Sequence, residues 1–145
     1  MDISGIEFNE GDKLPEKHGY MGENVSPGLE ISNVPEETSS LALVFADPDA
    51  EKMAGKTWIH WTLWNIPADT EKIEEGTAPG LEGTTDFRKT GYNGPNPPDG
   101  SHNVAFHLYA LEEELELEEE ASYEDLVEAM DGRVIEETVL EGIFC

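Results

Sequence analysis

The residues of this sequence best suited to chemistry are a few carboxylates and imidazoles at the ends of apolar runs. Asp47 and Asp49 flank Pro48 where the run SLALVFA stops. His60 lies inside the most aromatic segment, TWIHWTLWNIP, and His102 opens HNVAFHLYAL directly after a Gly/Pro-rich stretch. Gathered at one end of a sheet, two Asp and two His would line a compact polar pocket with a hydrophobic wall. Three chemistries are open to such a set. Imidazoles, oriented by a carboxylate, can donate to an anionic oxygen. Asp and His can ligate a transition metal. An Asp–His pair can act as general base in hydrolysis. Residue types and spacing alone leave these unranked. His18, in a polar loop, and His107, on the face opposite His102, are assigned no role.

The elements that must position these groups are mostly strands. MDISGIEF reads as an edge strand and LEISNVP as a short strand ended by proline. SLALVFA is apolar on both faces and bounded by turn formers, the pattern of a buried strand. Asp47 continues the parity of Leu41, Leu43 and Phe45, and Pro48 biases it away from helix. Asp49 follows on the same face for as long as the chain stays extended. In TWIHWTLWNIP strict alternation puts Trp58, His60, Thr62 and Trp64 on one face and Ile59, Trp61, Leu63 and Asn65 on the other. In the third strong strand His102 shares a face with Val104, Phe106, Leu108 and Ala110.

Between the last two strands, EEGTAPGLEGTTDFRKTGYNGPNPPDGS holds many turn residues, and so long a loop in a small domain is usually functional. EEELELEEE is expected to be a loop or short edge strand. SYEDLVEAM is the one convincing helix. Ser122 caps it, Tyr123, Leu126, Val127 and Met130 form its apolar stripe, and Gly132 terminates it. RVIEETVLEGIF closes the chain as one strand or two. The balance predicts a mostly β domain spanning residues 1–145, a sandwich or barrel with one appended helix.

Charge excludes several functions. The 145 residues include 33 acidic and 8 basic side chains, a formal net charge of −25. Such a field repels nucleic acid. The acid is spread along the whole chain, which favours adaptation to high salt over a partner-binding patch or calcium binding. The one cysteine, Cys145, allows no intrachain disulfide. No basic-then-apolar leader opens the sequence, and no run approaches the roughly 20 apolar residues of a membrane span. The expected location is cytoplasmic. No G-x-S-x-G elbow, phosphate-cradling glycine loop, H-E-x-x-H or C-x-x-C is present.

DPDA, then W-x-H-W…N-I-P, then G-Y-x-G-P-x-P-P-x-G-x-H…F-x-L-Y-A-L occur in that order. Together with the GYMGENVSPGLE lead-in and the DLVEAMDGRVIEETVLEGIF ending, they make the chain resemble the phosphatidylethanolamine-binding protein family. The likeness is to its bacterial and archaeal Raf-kinase-inhibitor-like branch and covers about residues 18–144. It implies a β-sandwich with Greek-key strands, a central sheet and a small helix near the C-terminus. It also implies a pocket at one end of that sheet for anionic groups such as phosphate, phosphorylethanolamine or acetate. Carried over by position, the ligand-binding residues are Asp47, Asp49, Trp58, His60, Gly94 and His102. Pro95, Pro97 and Pro98 are candidates for a cis peptide bond.

The resemblance implies a non-catalytic module. No cofactor and no metal are expected, since the set lacks close ligand pairs on one element apart from Asp47 and Asp49. The partner implied by the resemblance is a small anion or phospholipid head group, and relatives that pair suggest a homodimer. A hydrolase, and a kinase or protease inhibitor acting through its surface on an unknown target, stand as alternatives. Three departures bear on the pocket. Glu51 replaces a usual proline, Asn103 and Val104 replace Arg-Tyr or His-Tyr, and the chain stops at GIFC where relatives often continue.

Overall fold

A computed structural model describes residues 1–97 and 100–145, with the side chains of Lys52 and Met53 left aside. Two sheets face each other. The smaller holds β1 (Asp2–Gly5), β2 (Leu29–Ser32) and β5 (Lys72–Ile73), antiparallel in the order β1-β2-β5. The larger holds β3 (Ser40–Asp47), β4 (Trp58–Pro67), β6 (Leu81–Glu82), β7 (His102–Leu111) and β8 (Val134–Phe144). Its order is β6-β4-β3-β7-β8, again antiparallel throughout.

The central position of β3 explains its composition. Every residue from Ser40 to Asp47 is buried. Leu41, Leu43 and Phe45 join Trp61, Leu63, Val104, Phe106 and Leu108 in the core between the sheets. Ala42, Val44 and Ala46 face the other way, toward Ile59, Trp64, Leu111, Leu115 and the helix residues Leu126 and Met130. A strand covered on both sides needs apolar residues at every position rather than at alternate ones.

The helix α2 (Tyr123–Met130) starts where expected, with the Ser122 side chain accepting from the Asp125 N–H. Its stripe is narrower than its periodicity predicts: Leu126 and Met130 are buried, whereas Val127 is exposed. Gly132 follows the helix with φ +77°, the left-handed conformation that glycine adopts without strain. RVIEETVLEGIF forms one continuous strand, and the EEELELEEE segment is a loop whose Leu115 is buried. The long turn-rich segment contributes the two-residue β6, which pairs with β4. All peptide bonds among the described residues are trans, so the expected cis proline is not found there; Pro98 lies outside them.

The alternation expected along β4 is broken twice. Phe45 pairs with Trp61 and Ala46 with Ile59, so His60 is an extra residue bulged out of register. Leu41 pairs with Ile66 and Leu43 with Leu63, leaving a second bulge around Asn65, whose φ is +54°. Bulges re-aim side chains. Trp61 therefore faces the inter-sheet core and Ile59 the helix side, although strict alternation gives them one face. Trp58 stands opposite Asp47, and the His60 ring lies 5.4 Å from Phe45, on the inter-sheet side.

Candidate ligand-binding site

Asp47 ends β3 and His102 begins the adjacent antiparallel β7, which brings both to one end of the sheet. The backbone does not stay extended after Asp47. Pro48–Ala50 forms a 3₁₀ turn leading into the short helix α1 (Glu51–Ala54), and Asp47 caps it, its Oδ1 accepting from the Ala50 N–H at 3.1 Å. The other oxygen, Oδ2, lies 2.6 Å from His102 Nδ1. Both side chains are buried. One carboxylate thus anchors the turn and fixes the orientation of the imidazole.

This turn separates the two aspartates. Asp49 Oδ2 accepts from the Asn103 backbone N–H at 2.8 Å and from the Asn103 amide at 3.0 Å. It fastens the turn to the start of β7 rather than lining the pocket with Asp47. Asn103 is the partner of that carboxylate through both its backbone and its side chain. Glu51 is exposed, and its N–H donates to the Pro48 carbonyl, a bond that a proline there could not make.

His60 is held by the segment before the Gly/Pro loop. Its Nδ1 lies 2.7 Å from the Asn93 carbonyl oxygen, and the Asn93 N–H returns a bond to the His60 carbonyl at 3.1 Å. A carbonyl only accepts, so Nδ1 carries the proton and Nε2 the lone pair. Nε2 is buried and has no hydrogen-bond partner among the described residues. Burial pushes the imidazolium down to about 4, outweighing the opposing pull of the Asn93 carbonyl and of Asp47 and Asp86. His60 is therefore neutral near pH 7 and presents an acceptor. In this tautomer His60 offers a ligand the lone pair of Nε2 rather than an N–H.

Between these groups lies a cavity of about 260 Å³. Asp47, His60 and His102 provide its polar wall, Trp58 and Phe87 its aromatic wall, and Ala50, Ala54, Asn96 and Pro97 its mouth. Phe87 lies edge-on to Trp58 with centroids 5.8 Å apart and 5.4 Å from the His60 ring. Its place is set by neighbouring bonds: Asp86 Oδ2 accepts from the Ile59 N–H at 2.7 Å while Lys56 holds Asp86 Oδ1 at 2.8 Å.

Of the six site residues expected from sequence, the cavity gathers Asp47, Trp58, His60 and His102. Asp49 is turned to Asn103. Gly94 supports the wall from behind: its N–H donates to Asn24 Oδ1 at 2.7 Å, and a Cβ there would lie 1.9 Å from the His18 carbonyl oxygen. Sequence reasoning missed Phe87, Asn93, Asn96 and Pro97. Phe87 carried a signal, as an isolated aromatic in a polar loop, but nothing local marked the Asn93 carbonyl.

The model of the phosphatidylethanolamine-binding protein family matches residues 4–145. The chain belongs to the phosphatidylethanolamine-binding protein family. It is 42% identical to a UPF0098 protein of Methanothermobacter thermautotrophicus over 99% of this chain and 98% of that one. A crystal structure of a putative family homolog from Chlamydia trachomatis superposes with a TM-score of 0.93 at 34% identity, covering 99% of this chain and 95% of that one. Escherichia coli YbcL, described as a new member of the mammalian family, gives a TM-score of 0.89 at 28% identity, with coverage of 99% and 96%. The mostly β, two-sheet architecture with a helix near the C-terminus is thus that of this family. Among the described residues no helix is long and apolar enough to cross a membrane.

Proposed function

We propose that this protein is a non-catalytic binding module whose cavity takes a small phosphate-bearing group, either free or as a lipid head group. The observation that carries the reading is the pairing of a neutral His60 with an Asp47-held His102 across an aromatic-walled cavity of about 260 Å³. His60 Nε2 accepts, so it matches a ligand O–H or N–H. His102, held by Asp47 through Nδ1, stands in the wall that the anionic oxygens would face. A phosphate monoester in its monoanionic form has both an O–H to donate and oxygens to accept. Phosphorylethanolamine adds an ammonium. Trp58 and Phe87 cover the less polar side of either ligand.

The dianion lacks the donor that His60 requires. Binding of free phosphate therefore strengthens as pH falls through its second ionisation, whereas a lipid phosphodiester, which has none, has only its ammonium to offer His60. Titration of inorganic phosphate and of phosphorylethanolamine into labelled protein tests this, read at the His60 and His102 ring resonances. Shifts at both rings that grow at lower pH are expected, and larger shifts with phosphorylethanolamine identify the head group as the better ligand. Unmoved rings at saturating phosphate overturn the reading.

One observation favours a second reading. A buried Asp–His pair is also the orienting half of a general base. The cavity wall offers no Ser, Thr or Cys among its described residues, so such a base would act on water. Turnover of phosphoesters that is lost in His102→Ala would favour this hydrolase, whereas ligand binding without turnover favours the module.

A further inference from the structure

One of the two imidazoles left without a role by the sequence, His18, stands at a second cluster, away from the cavity wall. It ends the 3₁₀ turn Glu16–His18 and is fully buried. Its Nδ1 lies 2.8 Å from the Val25 carbonyl oxygen, so the proton sits on Nδ1 and the lone pair on Nε2. Nε2 is buried and has no hydrogen-bond partner among the described residues. It faces two carboxylate oxygens, Glu7 Oε2 and Glu75 Oε1, each 3.9 Å away. The three atoms all lie within 4.8 Å of one another.

We propose that Glu7, His18 and Glu75 form a binding site for one divalent transition-metal ion of the Zn²⁺ class. Ligand atoms at about 2.0–2.2 Å from a tetrahedral ion stand roughly 3.3–3.6 Å from one another, and the 3.9 Å between His18 Nε2 and each carboxylate oxygen closes to that with small side-chain shifts. A backbone carbonyl on the far ring nitrogen is the outer contact that usually sets the tautomer of a metal-ligating histidine. An imidazole donor selects Zn²⁺ and its neighbours over Ca²⁺ or Mg²⁺, which prefer oxygen alone. The two glutamates come from segments distant in sequence, one after β1 and one after β5.

The cation now between the carboxylates is the Lys17 ammonium, 2.6 Å from Glu7 and 2.8 Å from Glu75. It offsets one of their two negative charges and leaves the His18 lone pair unmatched. A metal ion satisfies all three groups, and Lys17, on a flexible stem at the surface, swings out to admit it. The His18 carbonyl also accepts from the Tyr92 hydroxyl at 2.7 Å and abuts Gly94. Metal binding would therefore brace the segment that leads to Asn96 and Pro97 at the mouth of the cavity.

The test uses Zn²⁺ and Co²⁺ alone with the full chain, in enough KCl to suppress diffuse binding to the acidic surface. One saturable equivalent is expected by calorimetry, with visible Co²⁺ absorption of nitrogen ligation and a Zn²⁺-induced shift of the His18 ring nitrogen resonance. The exposed substitution Glu75→Gln should weaken binding by about tenfold or more. Lys17→Met should bind at least as tightly as the natural chain, because the competing ammonium is gone. Absence of saturable binding, equal affinity in Glu75→Gln, or an unmoved His18 resonance at saturating Zn²⁺ would each overturn the proposal. Since wild-type resonances report on His18 directly, no variant of that buried residue is needed.

Discussion

Asp47 Oδ2 and His102 Nδ1 stand 2.6 Å apart, both buried, at the meeting ends of the antiparallel strands β3 and β7. The same carboxylate caps the turn that follows β3 through the Ala50 N–H. Orientation of the imidazole and direction of the chain therefore depend on one side chain.

Removing that carboxylate leaves a buried imidazole N–H and a helical-turn N–H without their acceptor. Asp47→Ala should destabilise the protein by about 3 kcal/mol, and Asp47→Asn by about 1 kcal/mol, since an amide oxygen retains one acceptor. Urea unfolding of the two variants measures this. Equal stability of Asp47→Ala and the natural chain would show the pair to be energetically idle.

Burial of neutral His60 makes stability depend on pH. Its ordinary value of 6.5 falls to about 4 in the folded state. Between those values the unfolded chain binds the proton and the folded chain does not. Stability from this group is therefore complete above about pH 6.5 and declines as pH falls toward 4, by about 3 kcal/mol in total. His60→Gln should lack that part of the slope. Parallel unfolding curves over this range would show it, and identical slopes in both proteins would contradict the buried neutral imidazole.

Gly94 has a packing reason to be glycine. A methyl group there meets a backbone carbonyl, that of His18, which cannot rotate aside. Gly94→Ala should cost about 1–3 kcal/mol and loosen the neighbouring segment. A melting temperature unchanged by this substitution would remove the packing role.

The acidic surface predicts a response to salt. With 33 acidic against 8 basic residues, few acids find a partner, and the ion pairs at Lys56, Lys72 and Arg133 are partly exposed. Screening over a Debye length on the order of 3 Å at molar salt should relieve their repulsion. The melting temperature is expected to rise steadily with KCl into the molar range. A flat response would sink the high-salt interpretation of the composition.

Much of the fold was written locally. The three apolar runs, the Ser122-capped helix and the closing strand all formed where their patterning placed them, because each draws its signal from residues adjacent in sequence. So did the arrival of Asp47 and His102 on the core side, since parity along a regular strand is a local property. Tertiary structure decided what alternation could not. The bulge at His60 arises from registering β4 against β3, a pairing between distant segments, and it carries Trp58 and His60 to the face of Asp47. The turn after Pro48 sends Asp49 to Asn103, a partner 54 positions away. The Asn93 carbonyl sets the protonation of His60 only because the fold buries the two together. Sequence supplied the chemical groups and the strands that carry them. Long-range register, burial and backbone acceptors determined which groups share a cavity and which proton each one holds.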